Sequence, residues 1–445
     1  MSNHLLTRGF LLLFFLSMVT SFTRNSFGVA SPHHFDAFAG GTEAMIFARV
    51  AKSERDGIFS NGGLLLFDSR VEWGVNSFPL QRKIYVEHLP FEEEWVYRSN
   101  PGVQGMLFSM IDRISPFPNE QNITLFHYIS ALISATVFTA LLAWVIRTFS
   151  LFTGLITAAG LLCSNRLVVS GGHIYWISGI LFLSVLVCLL QLEKMDKNPG
   201  RSPWHLFGWV ALAFFIKGEV TGFEIATTTM VATTIPVFFY AVYRAWPWRT
   251  FLRRFLQVSA GVFAGLILTS TLLLYQISFI PNVKHKGIGY LKERLEVRTT
   301  GGRYQGNAPE YLQESFDASH ADVFKKYMHP AVVSLPTVPP FSWIFSQHMV
   351  FPLWAIALGG ILITVGGLFL RKRTAYALMV ATWTGTLSIL SWMILFKSHS
   401  YLHLHLNFLG WYLPFLFFLY ILVGYVLEKW FIQIGSRWKN PAAHT

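Results

Sequence analysis

"LFHYISALISATVFTALLAWVI", residues 125–146, runs for 22 residues without an Asp, Glu, Lys or Arg. As a helix it extends roughly 33 Å at about 1.5 Å per residue, enough to cross the hydrocarbon core of a bilayer. Comparable apolar runs occur at 7–23, 150–168, 174–192, 204–217, 222–243, 256–278, 349–370, 375–396 and 407–427. The chain therefore reads as an all-α integral membrane protein, a polytopic bundle of about ten transmembrane helices. Composition agrees: 13% of the 445 residues are charged, whereas soluble domains carry about 25%. With 53% hydrophobic residues and a mean hydropathy of +0.45, an ordinary soluble domain is excluded.

The formal charge of +12 is read as cytoplasmic anchoring and contact with anionic headgroups, and no nucleic-acid partner is expected. Lysine and arginine concentrate in "EKMDKNPGRSP" (193–203), "YRAWPWRTFLRRF" (243–255), "RKR" (371–373) and "EKWFIQIGSRWK" (428–439). All four segments fall on one side of the ten-span arrangement, which the positive-inside rule makes cytoplasmic, with both termini inside. Arg8 ahead of "GFLLLFFLSMVTSF" predicts a retained signal-anchor, although "GVAS" (28–31) also has the form of a cleavage site. Cys163 and Cys188 both lie in apolar runs and read as small core residues.

Two long segments, 24–124 and 279–348, then fall on the outer face. The expected division is a transmembrane module over 1–278 that includes the first outer segment, an outer flap over 279–348, and C-terminal transmembrane helices with a basic tail over 349–445. In the first segment, "TEAMIFARVAKSERDG" (42–57) predicts a helix lying on the membrane surface, Ile46 and Val50 on one face and Arg49 on another. "NPGVQGMLFSMIDRI" (100–114) predicts a second, with Pro101 near its start. The second segment holds turn-rich "RTTGGRYQGNAP" (298–309) and "PTVPP" (336–340), and a helix is expected near 310–328.

Immediately after the first span, "SPHHFDAFAGGTEAM" (31–45) gathers His33, His34, Asp36 and Glu43. Together with "TEAMIFARVAKSERDG", "YRSNPGVQGMLF" (97–108), "HIYWISGILF" (173–182) and "KGEVTGFEI" (217–225), this stretch resembles blocks of the GT-C superfamily of membrane glycosyltransferases. That class contains the protein O-mannosyltransferases and the aminoarabinose transferases. The resemblance implies a first span, a large outer loop with two surface helices, and a polytopic bundle. It also implies a catalytic carboxylate near the start of the loop. Where the family's aspartate would directly precede Glu43, this chain has Thr42, so the role falls to Asp36 or Glu43, with Asp36 preferred. A turn-capping role for Asp36 is the alternative.

Transfer of a sugar from a lipid phosphate needs a base for the acceptor's proton and cations for the departing phosphate. Candidates for the phosphate are Lys397, His399, Arg303, Lys217 and Arg98. Snorkelling alone also accounts for Lys217. Tyr401, His403, His405, Asn407 and Glu224 are candidates for orienting substrate, and a structural ion pair with Lys217 is the alternative for Glu224. His399 and His403, four apart, also permit a divalent metal with Asp36, Glu43 or His33 as third ligand; no cofactor is otherwise expected. Backbone hydrogen bonding at the interface is the plainer account of these histidines and of Tyr401.

The function expected from this resemblance is transfer of a sugar from a polyprenyl-phosphate donor to a lipid, glycan or protein acceptor. The expected location is the outer face of a bacterial inner membrane. A polymerase or ligase of lipid-linked glycans, relying on arginine and histidine, is the second reading. A transporter or flippase is the third.

Overall fold

The computed structural model describes residues 2–38, 40–60, 62–67, 77–91, 94–198, 200–280, 287–300, 310–339 and 349–439. Helices dominate. The strands among the described residues form two short antiparallel ladders, β1 (Leu65–Phe67) with β2 (Glu94–Val96) and β3 (Ala331–Ser334) with β4 (Val350–Pro352).

Seven helices among the described residues are long and apolar enough to cross a membrane. They are α1 (Ser2–Arg24), α6 (Asn119–Thr148), α9 (Ser178–Lys197), α11 (Ala226–Tyr243), α12 (Trp248–Ser278), α17 (Arg373–Leu395) and the stretch Leu409–Ile434. The last of these kinks at Tyr412–Leu416 and continues as α21 (Phe417–Lys439). The chain is a multi-pass helical membrane protein. The other three expected spans are also helical but fall outside the seven. The run 150–168 breaks at Cys163 into α7 (Leu151–Leu162) and α8 (Asn165–Gly171). The run 349–370 keeps only α16 (Leu353–Leu368), and α10 (Trp204–Thr221) carries Lys217 and Glu219 near its end.

Within the bundle α10 is flanked by α9 and α12, α11 lies along α17, α7 packs on α21 and α1 on α6. Small residues set the closest approach. A Cβ on Gly261 of α12 would stand 2.8 Å from the Phe207 carbonyl, so the α10 and α12 backbones touch there.

The described residues of 24–124 form α2 (Pro32–Ala37), α3 (Gly40–Asp56), α4 (Ser77–Glu87), α5 (Val103–Ile114) and the β1–β2 ladder. The expected surface helix is present as α3, but it is not a surface helix. Arg49 is fully buried, because α4, α5 and β1 cover α3 and its guanidinium donates to the carbonyls of Ile58, Ser60 and Gly62. Three carbonyl partners satisfy a charge that water would otherwise have to solvate.

In the second long segment α13 (Ile288–Thr300), α14 (Glu310–Asp317) and α15 (His320–Met328) all pack on α18 (Lys397–Leu402). The helix expected near 310–328 is thus two. Ser319 separates them with a capping box, its Oγ accepting from Asp322 N at 3.2 Å and its own N–H donating to the Asp322 carboxylate at 2.9 Å. Beyond α15, β3 is fastened to the bundle. Ser334 N donates to the Cys163 carbonyl at 2.9 Å, the carbonyl that the α7–α8 break leaves free, and Tyr412 donates to Val332 O at 2.5 Å.

The two long segments meet at one end of the bundle. Tyr290 of α13 donates to the Arg98 carbonyl at 2.5 Å, and Arg294 reaches Ser99 Oγ at 3.1 Å. At the other end the basic connections pair with local acids, Arg147 with Glu193 at 3.4 Å and Arg244 with Asp196 at 2.9 Å.

Candidate functional site

α10 ends at Gly222, whose φ of +60° suits glycine; a Cβ there would stand 2.7 Å from the Ser99 carbonyl. Lys217 ties this turn together. Its Nζ donates to the carbonyls of Gly222 at 2.9 Å and Glu224 at 2.8 Å, so its bonds go to backbone carbonyls and not to the Glu224 carboxylate. The turn directs Glu224 inward, where it is 4% exposed.

Three groups converge on the Glu224 carboxylate. Tyr97 OH donates at 2.8 Å, Arg298 Nη2 lies at 3.3 Å and His399 Nε2 at 3.5 Å. Burial pushes the carboxyl upward, but Arg298, then His399, Tyr97 and His403, more than offset it and hold the group at about 2. Burial also drives the His399 imidazole well below its ordinary range, with His403 beside it acting in the same direction. Among the groups that hold Glu224 ionised, Arg298 acts most strongly. Burial lowers the guanidinium and Glu224 raises it, and the net displacement is upward.

These groups open on a cavity of about 410 Å³. Thr42 and Met45 of α3, Tyr97, and Arg294 and Arg298 of α13 line it, with Glu224, His399 and His403. Tyr175 and Trp176 enter from the turn ahead of α9, where His173 Nδ1 accepts from their backbone N–H groups at 3.1 and 3.2 Å. A second space of about 300 Å³ lies alongside. Arg98, Arg294 and Arg298 line it at one side, and Phe223, Met230, Leu266 and Leu273 make it apolar toward α11 and α12. Arg294 and Arg298, one helical turn apart, border both spaces.

The expected residues divide. Glu224, His399 and His403 share the cavity, and Arg98 borders the second space. Asp36 is exposed on α2, whose N-cap is Ser31 and not Asp36. Glu43 is buried and accepts from Ile174 N at 3.2 Å, with His173 and His127 at 3.6 and 3.7 Å. Neither carboxylate is among the cavity's lining residues. Nearby His34 contacts Arg166, and burial followed by that guanidinium lowers its imidazole to about 4.

Three residues of the 397–407 stretch have structural partners. Lys397 donates to the Phe316 carbonyl at 2.8 Å and holds the end of α14. Tyr401 donates to Glu314 at 2.9 Å, and buried Asn407 reaches His399 O at 3.4 Å. Arg303 and the side chain of His405 lie outside the described residues. The His399 and His403 rings lie tilted at 44° with centroids 4.5 Å apart, yet no group of three or more His, Cys, Asp and Glu among the described residues is placed to hold a metal ion.

Sequence reasoning missed Tyr97, Arg294 and Arg298. A signal was available: Tyr290, Arg294 and Arg298 recur every four residues and so share one face of a helix. No family model, no curated protein and no solved structure matches this chain.

Proposed function

We propose that this protein is a GT-C-like membrane glycosyltransferase of about ten spans that takes a sugar from a polyprenyl-phosphate donor. The supporting observation is the pair Arg294 and Arg298, which borders the cavity holding Glu224, His399 and His403 on one side and the space walled by Phe223, Met230, Leu266 and Leu273 on the other. An amphiphilic phosphate has that shape of chemistry: sugar beside Glu224 and the histidines, phosphate on the guanidiniums, and first lipid units against Met230, Leu266 and Leu273. In the reaction the bond between the sugar's anomeric carbon and the donor phosphate oxygen breaks as the acceptor oxygen bonds to that carbon. The phosphate leaves as a monoester and its growing charge falls on the arginines. Glu224 takes the acceptor proton. Its basicity is suppressed while Arg298 faces it alone, and rises once a phosphate shares that cation.

Arg294→Ala is expected to weaken a short-chain polyprenyl-phosphate analogue about tenfold or more by calorimetry, since a charge-assisted contact contributes about 1.5–3 kcal/mol. Unchanged binding would remove the phosphate from this place and overturn the proposal. The site is proposed to face outward from a bacterial inner membrane. Single cysteines at positions 60 and 310 are then expected to react with an impermeant maleimide on intact cells, and cysteines at 198 and 250 to stay unlabelled. Labelling of the second pair alone would invert the orientation.

A further inference from the structure

At the end of the bundle far from Glu224, α10 and α12 part to leave a groove of about 790 Å³. Arg249, Leu252, Arg253, Leu256 and Ala260 line it from α12. Their spacing follows the helical repeat and makes one stripe, two cations at the helix start and mostly apolar side chains after them, with Gln257 the polar member. Trp204 and Phe207 of α10 form the facing wall. Among the described residues no carboxylate pairs with Arg249 or Arg253. The acids of the neighbouring connection are already engaged, Asp196 with Arg244 and Glu193 with Lys197 and Arg147. The first turn of α12 holds no acid either, so the helix dipole adds to the arginines' positive field instead of opposing it.

We infer that this groove is a binding site for one anionic phospholipid, the phosphate held between Arg249 and Arg253 and the acyl chains lying along Leu252, Leu256 and Ala260. The arrangement matches charge to headgroup and apolar wall to chain. It is separate from the Glu224 cavity, because Trp204 and Phe207 lie at the start of α10 and Glu224 just beyond the end of that 18-residue helix, about 27 Å along its axis. The occupant is a resident lipid and does not depend on the function proposed above.

Native mass spectrometry of the full chain in detergent, incubated with phosphatidylglycerol or phosphatidylcholine, tests this directly. The parent is expected to retain one phosphatidylglycerol at least about tenfold more than phosphatidylcholine, a difference of the size one charge-assisted contact gives. Arg249→Gln/Arg253→Gln is expected to lose that preference, and Lys372→Gln/Arg373→Gln to keep it. Equal retention of the two lipids, or a preference that survives in the arginine double variant, would overturn the site. Displacement of the signal by excess inorganic phosphate would overturn the lipid as the ligand. If the double variant does not elute as a single folded species, Arg253→Gln alone is read by the same criteria.

Discussion

Arg298→Ala is expected to destabilise the protein by about 3–5 kcal/mol as well as abolish donor binding, because it strips the cation from a buried carboxylate. Glu224 is 4% exposed, and Arg298 is the strongest of the groups that hold its carboxyl ionised. Arg298→Ala/Glu224→Gln is expected to regain most of the stability and none of the binding, as read by thermal unfolding in detergent and by calorimetry. Equal instability of the single and double variants would mean that the ion pair is not what the fold depends on. The pH dependence has a defined sign. In the parent the folded carboxyl sits at about 2, below its unfolded value of about 4.3. Its contribution is therefore complete above the unfolded value and is lost as pH falls from there toward 2. In Arg298→Ala burial loses its strongest opponent and the carboxyl rises, so the deficit is expected to shrink as pH falls and Glu224 takes up a proton.

The second large effect separates three carboxylates. Glu224→Gln is expected to lower sugar transfer about 10²- to 10⁴-fold, the usual cost of losing a positioned base. Asp36→Asn is expected to stay near the parental rate, since Asp36 is exposed and is not among the residues lining the cavity. Glu43→Gln keeps an oxygen for Ile174 N and is expected to change stability before rate. A radiolabelled-sugar transfer assay on purified variants decides among them. Loss in Asp36→Asn with retention in Glu224→Gln would return the role to the residue the sequence blocks favour. Parental rates in all three would point to the polymerase or ligase chemistry, which uses no carboxylate.

Much of the helical layout was legible because apolar length is a local property of the chain. Each expected span coincides with helix, and the departures have local causes such as the α7–α8 break at Cys163. The cavity was only half legible. Glu224 drew notice because a carboxylate beside a span is costly, and His399 and His403 because they cluster. Arg298 and Tyr97 lie 74 and 127 residues from Glu224, and no spacing rule joins such positions. Arg49 misled for the same reason: its partners are carbonyls of a loop that only the folded chain brings to it. Charge in the sequence marks where a cost exists; the fold decides who meets it.

β3 and its anchors change how a ligand would arrive. The sequence suggested a flap over 279–348, yet the portion after α15 is joined backbone to backbone at Cys163 and gripped by Tyr412. With that edge fastened, the space beside α11, α12 and α13 is where the proposed donor would enter from the lipid. A donor would then slide in sideways without its tail leaving the bilayer. Traffic of that kind is two-dimensional: occupancy follows the donor's mole fraction in the membrane, and diluting the suspension with buffer leaves it unchanged.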